Sequence, residues 1–153
     1  LLSVFDYKYF WLPSLLTLNG IFLGLINALI FDFFIDFNNF TFFQYSLLGS
    51  VLGYLIFKLM SLLGEFIFKK PVLGNGDSKL AAMIGAWIGV KGMLITIWLA
   101  FYTAGLFVIC GLVLKKLDRK KKIPFGIFLS LNAFFVWTMG NEFFIKYLLF
   151  LKY

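Results

Sequence analysis

Two aspartates carry the chemistry this sequence is equipped to do. Asp6 stands just before one long apolar run, and Asp77 closes the segment Gly74-Asn75-Gly76-Asp77 just before another. A carboxylate beside hydrocarbon is costly, and a chain that keeps one there needs it for pairing, transport or chemistry. Two carboxylates that share a site cannot easily both ionise. Their repulsion holds one proton on the pair, so one member is base and the other acid. Such a pair can activate water for attack on a peptide carbonyl without a metal or an imidazole. The alternative is two ordinary helix-end aspartates, with Asp77 capping a helix that starts at Ser78. Spacing alone leaves both readings open.

The remaining inventory narrows the chemistry. Histidine is absent, which removes Ser/His and Cys/His nucleophilic machinery and any zinc site built on imidazole. The single cysteine, Cys110, lies inside an apolar run and reads as a small packing residue; no disulfide within the chain and no thiolate cluster can form. No cofactor is called for. Gly74 and Gly76 add no side-chain bulk, so the backbone can turn tightly and bring Asp77 close to a partner or an extended substrate. This Gly-x-Gly lacks the length and the following βαβ context of a dinucleotide site, and it lacks the Gly-Lys-Ser/Thr of a phosphate loop. Lys79 follows two residues later and is placed either to bias the carboxylates or to meet lipid headgroups. Glu65, near the end of the preceding apolar run, either faces the same polar cavity to position substrate or is structural.

These residues sit in a chain whose solvent is lipid. Of its 153 residues 62% are hydrophobic and 22% aromatic, only 14% are charged, and the mean hydropathy is +0.96. Soluble domains carry about 25% charged residues. Twenty-two phenylalanines would overfill a single globular core. The class expected is an all-α, polytopic membrane helix bundle. The chain opens at Leu1, and Leu1 to Phe5 reads as the end of an apolar segment whose start lies upstream, so a fragment or one domain of a longer protein is the expectation.

The apolar runs are Trp11 to Phe34, Phe42 to Phe68, Ser78 to Val90, Met93 to Leu114, and Ile123 to about Phe150. All but the third are long enough to cross a bilayer at 1.5 Å per residue. The basic segments are Lys8, Lys69-Lys70 and the stretch from Lys115 to Lys122, whereas the turn with Asp32 and Asp36 is acidic. Basic residues accumulate on the cytoplasmic side, so the net charge of +7 reads as topology rather than nucleic-acid binding. Three basic segments on one side require an even number of crossings between them. The segment 78–90 must then go out and 93–114 return, with 78–90 short, tilted or broken and Lys91 snorkelling near the outer face. Asp6 and Asp77 fall together on the cytoplasmic side. Gly85, Gly89 and the nearby alanines 81, 82 and 86 form a small-residue face suited to close helix packing. Trp87 and Trp98 are either interface anchors or core residues.

Three stretches resemble one family, in order and spacing. Leu73-Gly-Asn-Gly-Asp77-Ser-Lys-Leu-Ala-Ala-Met-Ile-Gly-Ala-Trp-Ile-Gly89 resembles the GxGD segment of type IV prepilin leader peptidases. Lys122-Ile-Pro-Phe-Gly126-Ile-Phe-Leu129 resembles the opening of their later helix, and Phe5-Asp6 followed by Leu12-Pro13-Ser14-Leu15-Leu16-Thr17-Leu18 resembles their first catalytic segment. The resemblance implies the GxGD aspartic protease fold, with Asp6 and Asp77 as the catalytic pair. It also implies cleavage of the short basic leader of type IV prepilins or pseudopilins, after a glycine, at the cytoplasmic face of the inner membrane. Ser14 stands where many bacterial members have Asp, and Ile127 replaces the second proline of the family's Pro-Phe-Gly-Pro-Phe. The cysteine-rich loop and methyltransferase portion of the bifunctional members have no counterpart in residues 1–153, which correspond to the catalytic membrane domain without its upstream helix. The competing expectation is a non-enzymatic membrane transporter or assembly subunit that uses buried acids to move protons or cations.

Overall fold

The structure, a computed structural model, describes residues 14–35, 41–69, 74–114 and 125–140. Among these there are four helices and no strand: α1 (Ser14–Ile35), α2 (Thr41–Phe68), α3 (Asn75–Val113) and α4 (Phe125–Met139). The first three are long and apolar enough to cross a membrane. Large apolar side chains such as Phe22, Phe34, Phe66 and Trp137 are exposed around the bundle, as a lipid-facing surface requires. This is the all-α polytopic bundle the composition demands.

The third helix decides the topology. At 39 residues, α3 would reach about 58 Å if straight, roughly twice the hydrocarbon thickness of a bilayer. It is not straight. Gly89 has φ 73° and ψ −178°, a region that only glycine occupies without strain. Before Gly89 the helix runs antiparallel to α2, with Gly53 against Ala81 and Gly49 against Gly85. At the turn, Tyr45 of α2 lies beside Gly89. Beyond it Phe57 meets Phe101, with ring centroids 6.5 Å apart. From Tyr45 to Phe57 and from Gly89 to Phe101 is the same step along the chain in the same direction. The second arm therefore runs back parallel to α2, and α3 is a helical hairpin.

The sequence placed the interruption at Lys91-Gly92. The structure moves it to Gly89, because that residue takes the backbone geometry the reversal needs. Gly89 is thus the corner as well as a packing position, since a Cβ on Gly49 would lie 2.8 Å from its carbonyl carbon. The short outgoing segment and returning long one are both present, and Lys91 is exposed at the turn. The helical segment also begins at Asn75, three residues before the expected Ser78.

The other helices fall into line. Gly20 of α1 packs on Met83, and Gly24 on Ala86 and Trp87, so α1 runs parallel to the first arm of α3. The Trp87 indole N–H donates to the Gly20 carbonyl at 2.9 Å. In α4, Phe125 stacks near Phe57 and Phe101 at 5.9 and 5.0 Å, while Val136 and Gly140 sit beside Gly89. One end of the bundle therefore holds the start of α1, the end of α2, both termini of α3 and the start of α4. The other end holds the α1–α2 connection, Gly89 and the end of α4. The core between them is Phe57, Leu80, Ala81, Ile84, Ala100 and Leu129.

Polar groups lock two of these packings. Asp32, 1% exposed, accepts from the backbone N–H groups of Phe42 (3.1 Å) and Phe43 (2.7 Å). It caps α2 from the end of α1, satisfying donors that would otherwise face lipid. The sequence reading saw Asp32 only as part of an acidic turn. Asn132 of α4 donates to the Thr103 hydroxyl of α3 at 2.9 Å and to its own helix at Phe128. Cys110 corrects an expectation: it is exposed rather than packed, on a part of the returning arm of α3 that turns away from the other helices.

Candidate active site

Asp77 occupies the third helical position of α3. Gly74 is the N-cap with extended backbone (φ −72°, ψ 145°) and offers no side-chain cap. The Asp77 amide donates to the Gly74 carbonyl at 3.1 Å. Its carboxylate bends back toward the helix start, since a Cβ on Gly74 would lie 3.8 Å from Asp77 Oδ2. Orphan N–H groups and the positive end of the helix dipole favour a negative charge there. Asp77 is therefore a first-turn acid and not the N-cap of a helix at Ser78. Glycine at 74 and 76 adds no side-chain bulk of its own beside that carboxylate.

Asp77 is only 9% exposed, and its neighbour Ser78 is also buried. The depth follows from the hairpin. The outgoing arm of α3 reaches only about 18 Å from Gly89 to Asp77. The register of α2 against this arm sets Phe57 level with Asp77, and α2 continues to Phe68, about 16 Å farther. The returning arm passes the same level at Phe101 and continues about 18 Å to Val113. Among the described helices the acid thus sits at the tip of a short helical arm between two taller ones.

The other sequence-nominated residues distribute unevenly. Gly74 and Gly76 flank the carboxylate, as expected. Lys79 is half-buried one side of the helix away. Glu65 is exposed on α2, two turns beyond the level of Asp77, so the described helices do not bring the two together. Asp6 lies outside the described residues. The α1 register carried back from Gly20–Met83 sets Ser14, the first described residue, level with Asp77. Lys58 gained no weight from sequence beyond being a charge in an apolar run. It follows Phe57 directly, half-buried at the level of Asp77, and a lysine inside a spanning helix was the signal that marked it.

Comparison with known proteins identifies the family of this chain. The family model described as the type IV leader peptidase family matches residues 1–110, which include Asp6, the Gly74–Asp77 segment and α3 as far as Cys110. A prepilin leader peptidase/N-methyltransferase of Xanthomonas campestris pv. campestris is 32% identical over 92% of this chain and 47% of its own length. The proteins of that name from Stutzerimonas stutzeri and Pseudomonas aeruginosa are 30% and 31% identical, over 99% and 92% of this chain and 50% and 46% of their own. The chain spans about half the length of these curated relatives. No solved structure matches. A multi-pass helical bundle with a buried Gly-x-Gly-Asp acid, matched along most of its length by that family model, belongs to the type IV leader peptidase family.

Proposed function

We propose that this chain is the membrane-embedded catalytic domain of an aspartic endopeptidase that removes the leader from type IV prepilins or pseudopilins. The observation that carries the proposal is the burial of Asp77 at the tip of the short arm of α3, at the bundle end where α1 begins. In this reading Asp6 and Asp77 share one proton. The ionised member takes a proton from water as the water oxygen attacks the scissile carbonyl carbon. The neutral member gives its proton to the carbonyl oxygen. Collapse of the tetrahedral diol breaks the C–N bond: the leaving nitrogen takes up the proton the first carboxylate acquired, and one diol hydroxyl returns its proton to the second carboxylate as the carbonyl re-forms. The pair is restored and no covalent enzyme intermediate forms. The relatives' names supply the substrate class, and the basic segments supply the orientation. Helix ends that flank the lysine-rich stretches 69–70 and 115–122 lie at the Asp77 end, and the bias of basic residues toward the cytoplasm supports a site that opens on the cytoplasmic face of the inner membrane.

The test is cleavage of a pilin precursor by the chain in detergent or liposomes, beside Asp6→Asn and Asp77→Asn variants that keep the helical fold. Loss of cleavage in both establishes the paired-acid mechanism. Full activity in Asp77→Asn would sink it.

A further inference from the structure

At the opposite end of the bundle from Asp77 a cavity of about 390 Å³ opens beside the α3 corner. Phe42, Tyr45, Trp87 and Trp137 supply its aromatic walls, and Ser46 and Lys91 line it as well. Three features of this cavity are unexplained by packing. Lys91 is exposed, and it is the one lysine or arginine at this end among the described residues; none of those residues pairs with it. A cation on this side runs against the charge bias of the rest of the chain. Ser46 is 7% exposed, yet its hydroxyl has no hydrogen-bond partner among the described residues. An unmet hydroxyl in an apolar setting is costly. The Trp87 indole is already committed to Gly20, but Trp137 is exposed.

We infer that this cavity is a binding site for an anionic phospholipid of the leaflet opposite the active site. The phosphate group is recognised by the Lys91 ammonium and by the Ser46 hydroxyl, which acts as a donor. The glycerol backbone and the first part of an acyl chain lie along Tyr45 and Trp137. Amphipathic aromatic rings beside a lysine are the side-chain set of a membrane–water interface. The apolar walls are what favour a lipid over a free anion: inorganic phosphate would meet Lys91 and Ser46 but would leave the aromatic surface uncovered. Because Gly89 lies in this cavity and is the corner from which the arm bearing Asp77 extends, a bound lipid would brace that arm from below.

The test is native mass spectrometry of the purified chain, titrated with phosphatidylglycerol, phosphatidylcholine and, separately, inorganic phosphate. Expected is one retained phosphatidylglycerol per chain, with binding weakened roughly fivefold or more in Lys91→Gln. Ser46→Ala should weaken it as well. Lys69→Gln, at the other end of the bundle, should leave it unchanged. Equal retention by the parent chain and Lys91→Gln would overturn the inference. So would an equal loss in Lys69→Gln, which would mean diffuse charge attraction only, or phosphatidylcholine or inorganic phosphate binding as tightly as phosphatidylglycerol. All variants are read by the same lipid-bound to lipid-free ratio on helical, monodisperse protein, so a variant that merely misfolds is recognised before it is scored.

Discussion

Gly49 and Gly85 meet backbone to backbone. A Cβ on Gly49 would lie 2.7 Å from the Gly85 carbonyl oxygen, and one on Gly85 would collide with the Gly49 carbonyl. This contact fixes how far α2 and the outgoing arm of α3 slide past one another, and so which residue of α2 stands level with Asp77. In lipid such close approach is a principal source of helix association, because apolar side chains gain little by leaving lipid for protein. Gly85→Ala has no flexible neighbour to displace and must separate the helices. It should cost about 1–3 kcal/mol, read as an earlier thermal unfolding transition in detergent. Leader cleavage should fall with it if the register positions the acid.

Replacing Gly89 probes the corner itself. The backbone there, at φ 73° and ψ −178°, is closed to residues with a Cβ. Open space is not the constraint, since the nearest atom to an added Cβ is 3.7 Å away. Gly89→Ala should therefore lose about 1–3 kcal/mol through conformation alone. Gly105→Ala, inside the returning arm with nothing within 4 Å of the new methyl, should be neutral or slightly stabilising in the same unfolding assay.

Asp32 offers two oxygens to two backbone donors. Asp32→Ala leaves the Phe42 and Phe43 amides without that acceptor in an apolar setting and should cost about 1–3 kcal/mol. Asp32→Asn keeps one acceptor and should lose less. Amide hydrogen exchange at the start of α2 distinguishes a local loss of the cap from general unfolding.

The α3–α4 contact has a polar clamp in Asn132 and Thr103. Such bonds in membranes are modest, so Asn132→Leu should cost about 0.5–1.5 kcal/mol. Thr103→Val should cost a similar amount, and the double variant should cost less than their sum, a double-mutant cycle that isolates the bond.

For the proposed chemistry, Asp77→Asn removes the acid but keeps the volume and most of the helix-start geometry. Cleavage of a pilin precursor should fall by at least about 10²–10⁴-fold, with the unfolding transition changed far less. Glu65→Gln, exposed two turns beyond that level, should retain most of the activity.

Much of this protein was legible without coordinates, because partition between lipid and water is written in composition and run length. The phenylalanine content, the apolar runs and the spacing of lysines sufficed for an all-α spanning bundle, for the outgoing and returning segments around residue 90, and for the Asp77 end as the basic end. The Gly-x-Gly-Asp pattern and its flanks indicated the family. What sequence could not supply is anything that depends on two distant segments touching. The reversal point was placed at Lys91-Gly92 because charge marks water. It lies at Gly89 because only the assembled hairpin demands that backbone angle. Asp32 looked like a turn residue until α2 presented its amides to it, and Glu65 looked close to Asp77 until the Gly49–Gly85 contact set the register. Sequence determined the solvent, the helical class and the family, and it nominated Asp77. Tertiary structure decided the depth of that acid, because depth is the difference in length between one short arm and the two taller helices that close around it.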